Sequence, residues 1–219
     1  MQLPLITTFE SMQKYKEAFI QGKIDFSLAV GPVCPVCGKH DCYRPITPYE
    51  RYAIDIFPVF WKERVPIARF LCCEQNVTFS LLPDQLIPYM LYTVSSVIGT
   101  LLYGLFHWQT GRKGFFGAVQ NVHPDSRITP WLVAYWLQIV ISGLRRSHMI
   151  LIQWFDLSTV SDPGTSGWQE IATYFQILGW RGAPPVGENL RNLLHRYIRS
   201  VTGFLFGTPS QGRRSCSST

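Results

Sequence analysis

Two pairs of cysteines carry most of the chemistry this sequence offers. Cys34-Pro35-Val36-Cys37-Gly38 has the form of a zinc knuckle. In such a knuckle a tight turn aims two thiolates at one point, and the glycine gives the turn its backbone freedom. Zinc takes four ligands in a tetrahedron, so one knuckle is half a site. The second half is expected as a further Cys-x2-Cys downstream. Cys72-Cys73-Glu74-Gln75 begins as one and closes on glutamine, a poor zinc ligand. Either Cys73, Cys42 or His40 completes the set, or the site has lost its metal and packing alone keeps the fold. The competing account is a group of reduced cysteines buried for their apolar character, since free Cys is among the most buried residue types. The form of the motif favours metal, and the expected ligand set is Cys34, Cys37, Cys72 and Cys73 around a structural Zn2+. Cys216, in the polar tail, has no partner motif.

The residues after the cysteines carry a resemblance. Thr78-Phe79-Ser80-Leu81-Leu82-Pro83, then Ile87-Pro88-Tyr89, is similar to the close of the zinc ribbons that open many bacterial transposases. It resembles more nearly a bacterial family associated with mobile elements, whose members read Cys-Pro-x-Cys-Gly, Cys-x2-Cys, Thr-Phe-Ser-Leu-Leu-Pro and Ile-Pro-Tyr. The likeness spans residues 32–95. It implies metal ligands at Cys34, Cys37 and Cys72, with the fourth family position falling on Gln75. It also implies a link to DNA, which that family owes to its genomic company rather than to a known mechanism.

A chain of 219 residues can bury a real core. Charged residues make up 16% and apolar ones 47%, which excludes disorder for all but the ends. The net charge is +6. Residues 1–84 are neutral, with nine basic and nine acidic side chains, so the whole excess falls in residues 85–219. A basic second half suits a polyanion, whether nucleic acid or an anionic membrane. Met1-Gln2-Leu3-Pro4 shows no basic stretch leading into an apolar one, so a cytoplasmic protein with reduced cysteines is expected.

The elements that must position these groups follow from periodicity and punctuation. Apolar residues at 9, 12, 15, 19 and 20 predict a helix over 9–22 that stops at Gly22 and covers the ribbon. Residues 32–83, dense in proline, predict short strands, including Val65–Leu71 leading into the second half-site. Tyr52–Phe57 reads as a short strand or as one helical turn. Leu86–Phe106 holds no charged side chain over twenty-one residues. A buried core helix is the expectation there, because its hydroxyls, glycines and Pro88 make it only moderately apolar, although the length would span a bilayer. Gly111–Asp125 reads as a loop. Thr129 and Pro130 announce a helix through Trp131–Arg146 that is apolar nearly all round. Residues 158–167 read as a linker, Trp168–Trp180 as a shorter helix and Gly182–Pro185 as a break. Glu188–Phe206 reads as an amphipathic helix with a stripe of Leu190, Leu193, Leu194, Tyr197, Ile198 and Val201, and the tail from Gly207 onward reads as disordered.

The expected fold is therefore α+β, a small β-rich zinc-ribbon-like module followed by a mostly α-helical domain. Its units would be an N-terminal helix in 1–30, the ribbon in 31–84, a helix-turn-helix-like body in 85–157, C-terminal helices in 168–206 and a tail in 207–219. The acids after the ribbon sit in turns or at helix starts, where capping explains them, and no carboxylate cluster suits a metal-dependent nuclease. No phosphate-binding loop, nucleophile elbow or His-Glu-x2-His motif occurs. The chain is expected not to be an enzyme. The leading expectation is a DNA-binding accessory or remnant of a mobile element, with Arg112, Lys113, Arg127, Arg145, Arg146, Arg191 and Arg199 on phosphates. Its weakness is that helix 130–146 has few polar side chains to read bases. The alternative is a membrane-associated or oligomeric scaffold in which the ribbon is a structural cap.

Overall fold

The computed structural model describes residues 1–5, 9–158, 166–180, 187–201 and 203–207. Within them lie four strands, β1 (Gln2–Pro4), β2 (Tyr43–Asp55), β3 (Trp61–Cys72) and β4 (Val77–Leu82). The helices are α1 (Met12–Ile20), α2 (Phe26–Val30), α3 (Val94–Gln109), α4 (Gly114–Gln120), α5 (Pro130–Arg146), α6 (His148–Leu151), α7 (Gly167–Ile177) and α8 (Gly187–Ser200). The chain is an α+β mixture, as its sequence predicts. The sheet runs β1-β4-β3-β2, parallel between β1 and β4 and antiparallel elsewhere. The expected linker at 158–167, the break at 182–185 and nearly all of the tail lie outside the described residues.

Two apolar clusters organise the chain. One gathers the sheet, Met12 and Tyr15 of α1, and two of the cysteines, Cys34 and Cys72. The other gathers the helices from Val94 onward. Strand β2 joins them. Its near half pairs with β3 over the first cluster, while Ile54 and Ile56, at and just past its far end, belong to the helical core. Between those two residues, Asp55 Oδ1 accepts hydroxyls from Thr93, Ser95 and Ser96 at 3.0, 3.1 and 3.0 Å. A carboxylate against the N-terminus of α3 is also favoured by the helix dipole. Tyr52–Phe57, which reads two ways in sequence, is thus the end of a long strand and the loop after it.

The apolar run at 86–106 does not form one helix. Pro88 and the left-handed Tyr89 (φ 63°) keep residues 86–92 out of helical geometry. Helix α3 starts only where Thr93 caps it, accepting from the Ser96 N–H at 3.2 Å. Sixteen residues follow, and no helix among the described residues is long and apolar enough to cross a membrane. The predicted loop 111–125 contains α4. Helix α8 ends at Ser200, before the predicted Phe206, and Leu205 and Phe206 instead turn inward, each 2% exposed. The predicted caps Thr129 and Pro130 of α5 are in place.

Glycines let α4 lie close on α3. A Cβ on Gly104 would come within 3.1 Å of the Gly114 carbonyl, and one on Gly117 within 2.2 Å of the His107 ring. Replacing Gly117 by alanine gains about 1 kcal/mol of helix propensity but forces a clash whose relief costs about 1–3 kcal/mol, so the clash wins. The expected result for Gly117→Ala is a lower denaturation midpoint with an unchanged urea slope.

Asp84 is 3% exposed, with Oδ1 lacking a hydrogen-bond partner. Burial raises its pKa to about 7, against a weaker opposing pull from the N–H groups of Gln85 and Asp84 and from Arg191. Between the ordinary value of 3.8 and about 7 the folded chain binds more protons than the unfolded chain. Stability is therefore full below that window and falls as pH rises through it, by an amount on the order of 4 kcal/mol. Asp84→Asn should remove this pH slope and raise the melting temperature at pH 8. A slope unchanged in the variant would assign the effect to another group.

Candidate metal centre

The first knuckle folds as its sequence prescribes. Gly38 adopts φ 76° and donates its N–H to the Cys34 carbonyl at 2.9 Å, while Cys34 N–H reaches the Lys39 carbonyl at 2.9 Å. The turn leads through the left-handed Asp41 (φ 49°) into β2, so Cys42 stands immediately before the strand. Across the ladder Tyr43 pairs with Cys72, and the Cys73 N–H donates to the Cys42 carbonyl at 2.7 Å. Pairing of β2 with β3 thus carries Cys42 to Cys72.

Four sulfurs converge, those of Cys34, Cys37, Cys42 and Cys72, all within 4.8 Å of one another. The Cys42–Cys72 separation is 3.8 Å and the Cys37–Cys42 separation 2.8 Å. A Zn–S bond of about 2.3 Å gives a tetrahedral edge of about 3.8 Å, so one pair already matches and the other opens by about 1 Å on metal entry. Cys34 and Cys72 are buried, and Cys37 and Cys42 half-buried. Burial opposes ionisation of Cys34, yet N–H groups of Cys37 and Val36, with the thiols of Cys42 and Cys72, bring its pKa down to about 7. Cys42 is held well above the usual thiol range by its hydrogen bond with Cys37 and by burial, and burial likewise raises Cys72. Four thiols this close cannot all ionise against one another's charge, and a divalent cation supplies what the set lacks. The arrangement can hold a metal ion such as zinc. Four sulfurs would fill its coordination and leave no position for a substrate or a reactive water.

The second half-site keeps the shape of a knuckle without its second thiol. Gln75 donates its backbone N–H to Cys72 Sγ at 3.4 Å, and Asn76 (φ 50°) takes the left-handed position that Gly38 takes in the first turn. Lys39 of the first turn pairs with Glu74 of the second, tying the two loops together across the site.

Cys73, expected as a ligand, lies outside the cluster: it is exposed, its sulfur 4.0 Å from the Leu71 carbonyl. Neighbouring residues on a strand face opposite ways, so one of two adjacent cysteines at most can face the site. The phase was not legible in the sequence, because Val65 and Ile67 on one parity and Ala68, Phe70 and Cys72 on the other are all buried. His40 is exposed and also stands outside the cluster.

The basic residues expected on phosphates occupy separate elements. Arg112 and Lys113 are exposed in the turn before α4, Arg127 follows a 3-10 turn in left-handed geometry (φ 54°), and Arg191 and Arg199 lie on α8. Two are already engaged. Arg145 grips Glu170, 3% exposed, through two bonds of 2.7 and 2.5 Å, and Arg146 donates to the Gly207 carbonyl at 2.8 Å. Reversing Arg145 would leave a buried carboxylate unpaired, at about 3–5 kcal/mol, and would test folding before binding.

Sequence reasoning missed a basic and aromatic stripe on the β2–β3 hairpin. Lys62 and Arg64 stand 5.6 and 5.2 Å from the ring of Tyr52, which is 42% exposed, while the half-buried Arg69 stands 5.8 Å from the ring of Tyr49 on the opposite face of the sheet. The neutrality of residues 1–84 as a whole concealed it. The signal that remains in sequence is the alternation of Lys62, Arg64 and Pro66 on one face of β3. No protein-family model, curated protein or solved structure matches this chain.

Cys42→Ser should lose metal from the purified protein and lower its melting temperature, while Cys73→Ser should retain about one metal ion per chain. Elemental analysis of both variants decides it. Retention in Cys42→Ser together with loss in Cys73→Ser would reverse the assignment.

Proposed function

We propose that this chain is a non-catalytic nucleic-acid-binding protein in which a structural zinc ion, held by Cys34, Cys37, Cys42 and Cys72, stiffens the β2–β3 hairpin as a docking element. The observation that carries the reading is the exposed group of Tyr52, Lys62 and Arg64 on one face of that hairpin. Cations over an aromatic face suit a phosphate backbone and an unstacked base together. A filled four-sulfur shell is the pattern of a structural rather than a catalytic metal. The resemblance of residues 32–95 to a family associated with mobile elements points the same way and suggests DNA as the partner. Arg112, Lys113 and Arg127, exposed, extend the basic surface; Arg145 and Arg146 serve the fold.

Binding of a fluorescein-labelled DNA duplex and of its separated strand, followed by anisotropy across a salt series, tests this. The logarithm of the affinity should fall linearly with the logarithm of salt concentration. Lys62→Glu with Arg64→Glu should weaken binding and reduce the slope by about two. Equal affinity in the double variant at every salt concentration would sink the reading.

Self-association is a second reading, favoured by one observation. Trp131, 75% exposed, stacks on Tyr135 one turn along α5, with ring centroids 6.0 Å apart and planes 4° from parallel. A sedimentation measurement that gives a dimer in the native chain and a monomer in Trp131→Ser would establish it.

A further inference from the structure

Helices α3 and α7 diverge along part of their length. At the start of α7, Trp168 packs against the bare backbones of Gly104 and Gly114, where a Cβ would come within 2.4 and 3.0 Å of its ring. Beyond that contact the two helices enclose a groove of about 730 Å3, which falls in the range of small-molecule sites, roughly 300–1,000 Å3. One wall carries Tyr103, Phe106 and Trp108 of α3, and the facing wall Phe175 and Trp180. The groove opens to solvent at Phe106, which is 60% exposed. Its floor is rigid. Trp180 is 1% exposed and packs edge-on against Phe175 at 5.1 Å and Phe206 at 6.5 Å.

Among the described residues, the polar groups of this groove are neutral. Gln109, Gln169 and Gln176 line it, and no hydrogen bond among the described residues engages their side-chain amides. Among the described residues, no Lys, Arg, Asp, Glu or His lines the groove. An ionised ligand would lose its hydration there without gaining a counter-charge.

We propose that this groove is a binding site for an uncharged, flat ring compound that carries a hydrogen-bond acceptor such as a ring carbonyl. Aromatic walls favour a flat ring by stacking and edge contacts, and the amides of Gln109, Gln169 and Gln176 can donate to an acceptor at its rim. The site is independent of the metal centre and of the hairpin stripe, so it stands or falls apart from nucleic-acid binding.

Nile red, a neutral fused-ring dye with a carbonyl, is the probe, used with the full metal-loaded chain. Its emission should rise and saturate at one dye per chain. The anionic dye 8-anilinonaphthalene-1-sulfonate should bind at least about tenfold more weakly. Ala172→Trp, placing a ring in the groove from the half-buried face of α7, should weaken Nile red at least about tenfold, and Thr173→Trp provides the same block from the next position. Met149→Ser, at an apolar side chain 73% exposed elsewhere, should leave binding unchanged. Unaltered binding in whichever blocking variant retains the native melting temperature, or equal affinity for the two dyes, would overturn the assignment.

Discussion

The antiparallel pairing of β2 with β3 is the constraint from which the rest of the molecule follows. At one end the register sets Tyr43 against Cys72, and so delivers the thiol of Cys42 to a site that the first knuckle has half built. In the middle the same ladder sets Tyr52 opposite Arg64, with Lys62 on the diagonal. Cross-strand neighbours at this spacing are within reach of aromatic and long basic side chains. At the other end Asp55 meets the hydroxyls that open α3, and Ile54 and Ile56 enter the helical core. A slip of one residue would turn every one of these side chains to the opposite face.

A long edge strand of this kind invites pairing with other chains, and the molecule blunts it in three ways. Pro45 and Pro48 remove donors from the edge. The register shifts between Ile46 and Tyr49, which bends the strand. Farther along, Leu91 and Thr93 take the backbone groups of Ile54, at 2.8 and 3.0 Å. The prolines that mark this region as strand-and-turn in sequence therefore also keep the hairpin from aggregating. A metal at the cysteine end would add a clasp to the smaller of the two apolar clusters, which is where a small β unit most needs one.

The helical part depends on close approach rather than on charge. Gly104, Gly114 and Gly117 let α3 and α4 touch, and the side chains of Trp168 and His107 fill the space that a Cβ would take. Of the residues expected to meet phosphate, Arg145 is committed to Glu170 and Arg146 to the Gly207 carbonyl. A sparsely charged sequence spends part of its charge in holding its own ends together.

Local chemistry fixed what depends on near neighbours. The turn at Cys34–Gly38, the cap at Thr129 with Pro130, the buried stripe of α8 and the α+β class all follow from adjacent residues, because turns, caps and helical faces are built within a few positions of chain. Other features were decided only in three dimensions. Cys42 became part of the thiol cluster through a strand register, thirty residues of chain away from Cys72. The apolar run at 86–106 was cut at Thr93, where Pro88 and the left-handed Tyr89 keep the preceding chain out of the helix and Asp55, a partner no local window contains, accepts from the hydroxyls that open α3. Arg145, although exposed, was committed to a buried carboxylate on another helix. Pairing across a ladder, burial of a charge and the opening between two helices are properties of distant segments brought together, and composition and periodicity carry no record of which segments those are.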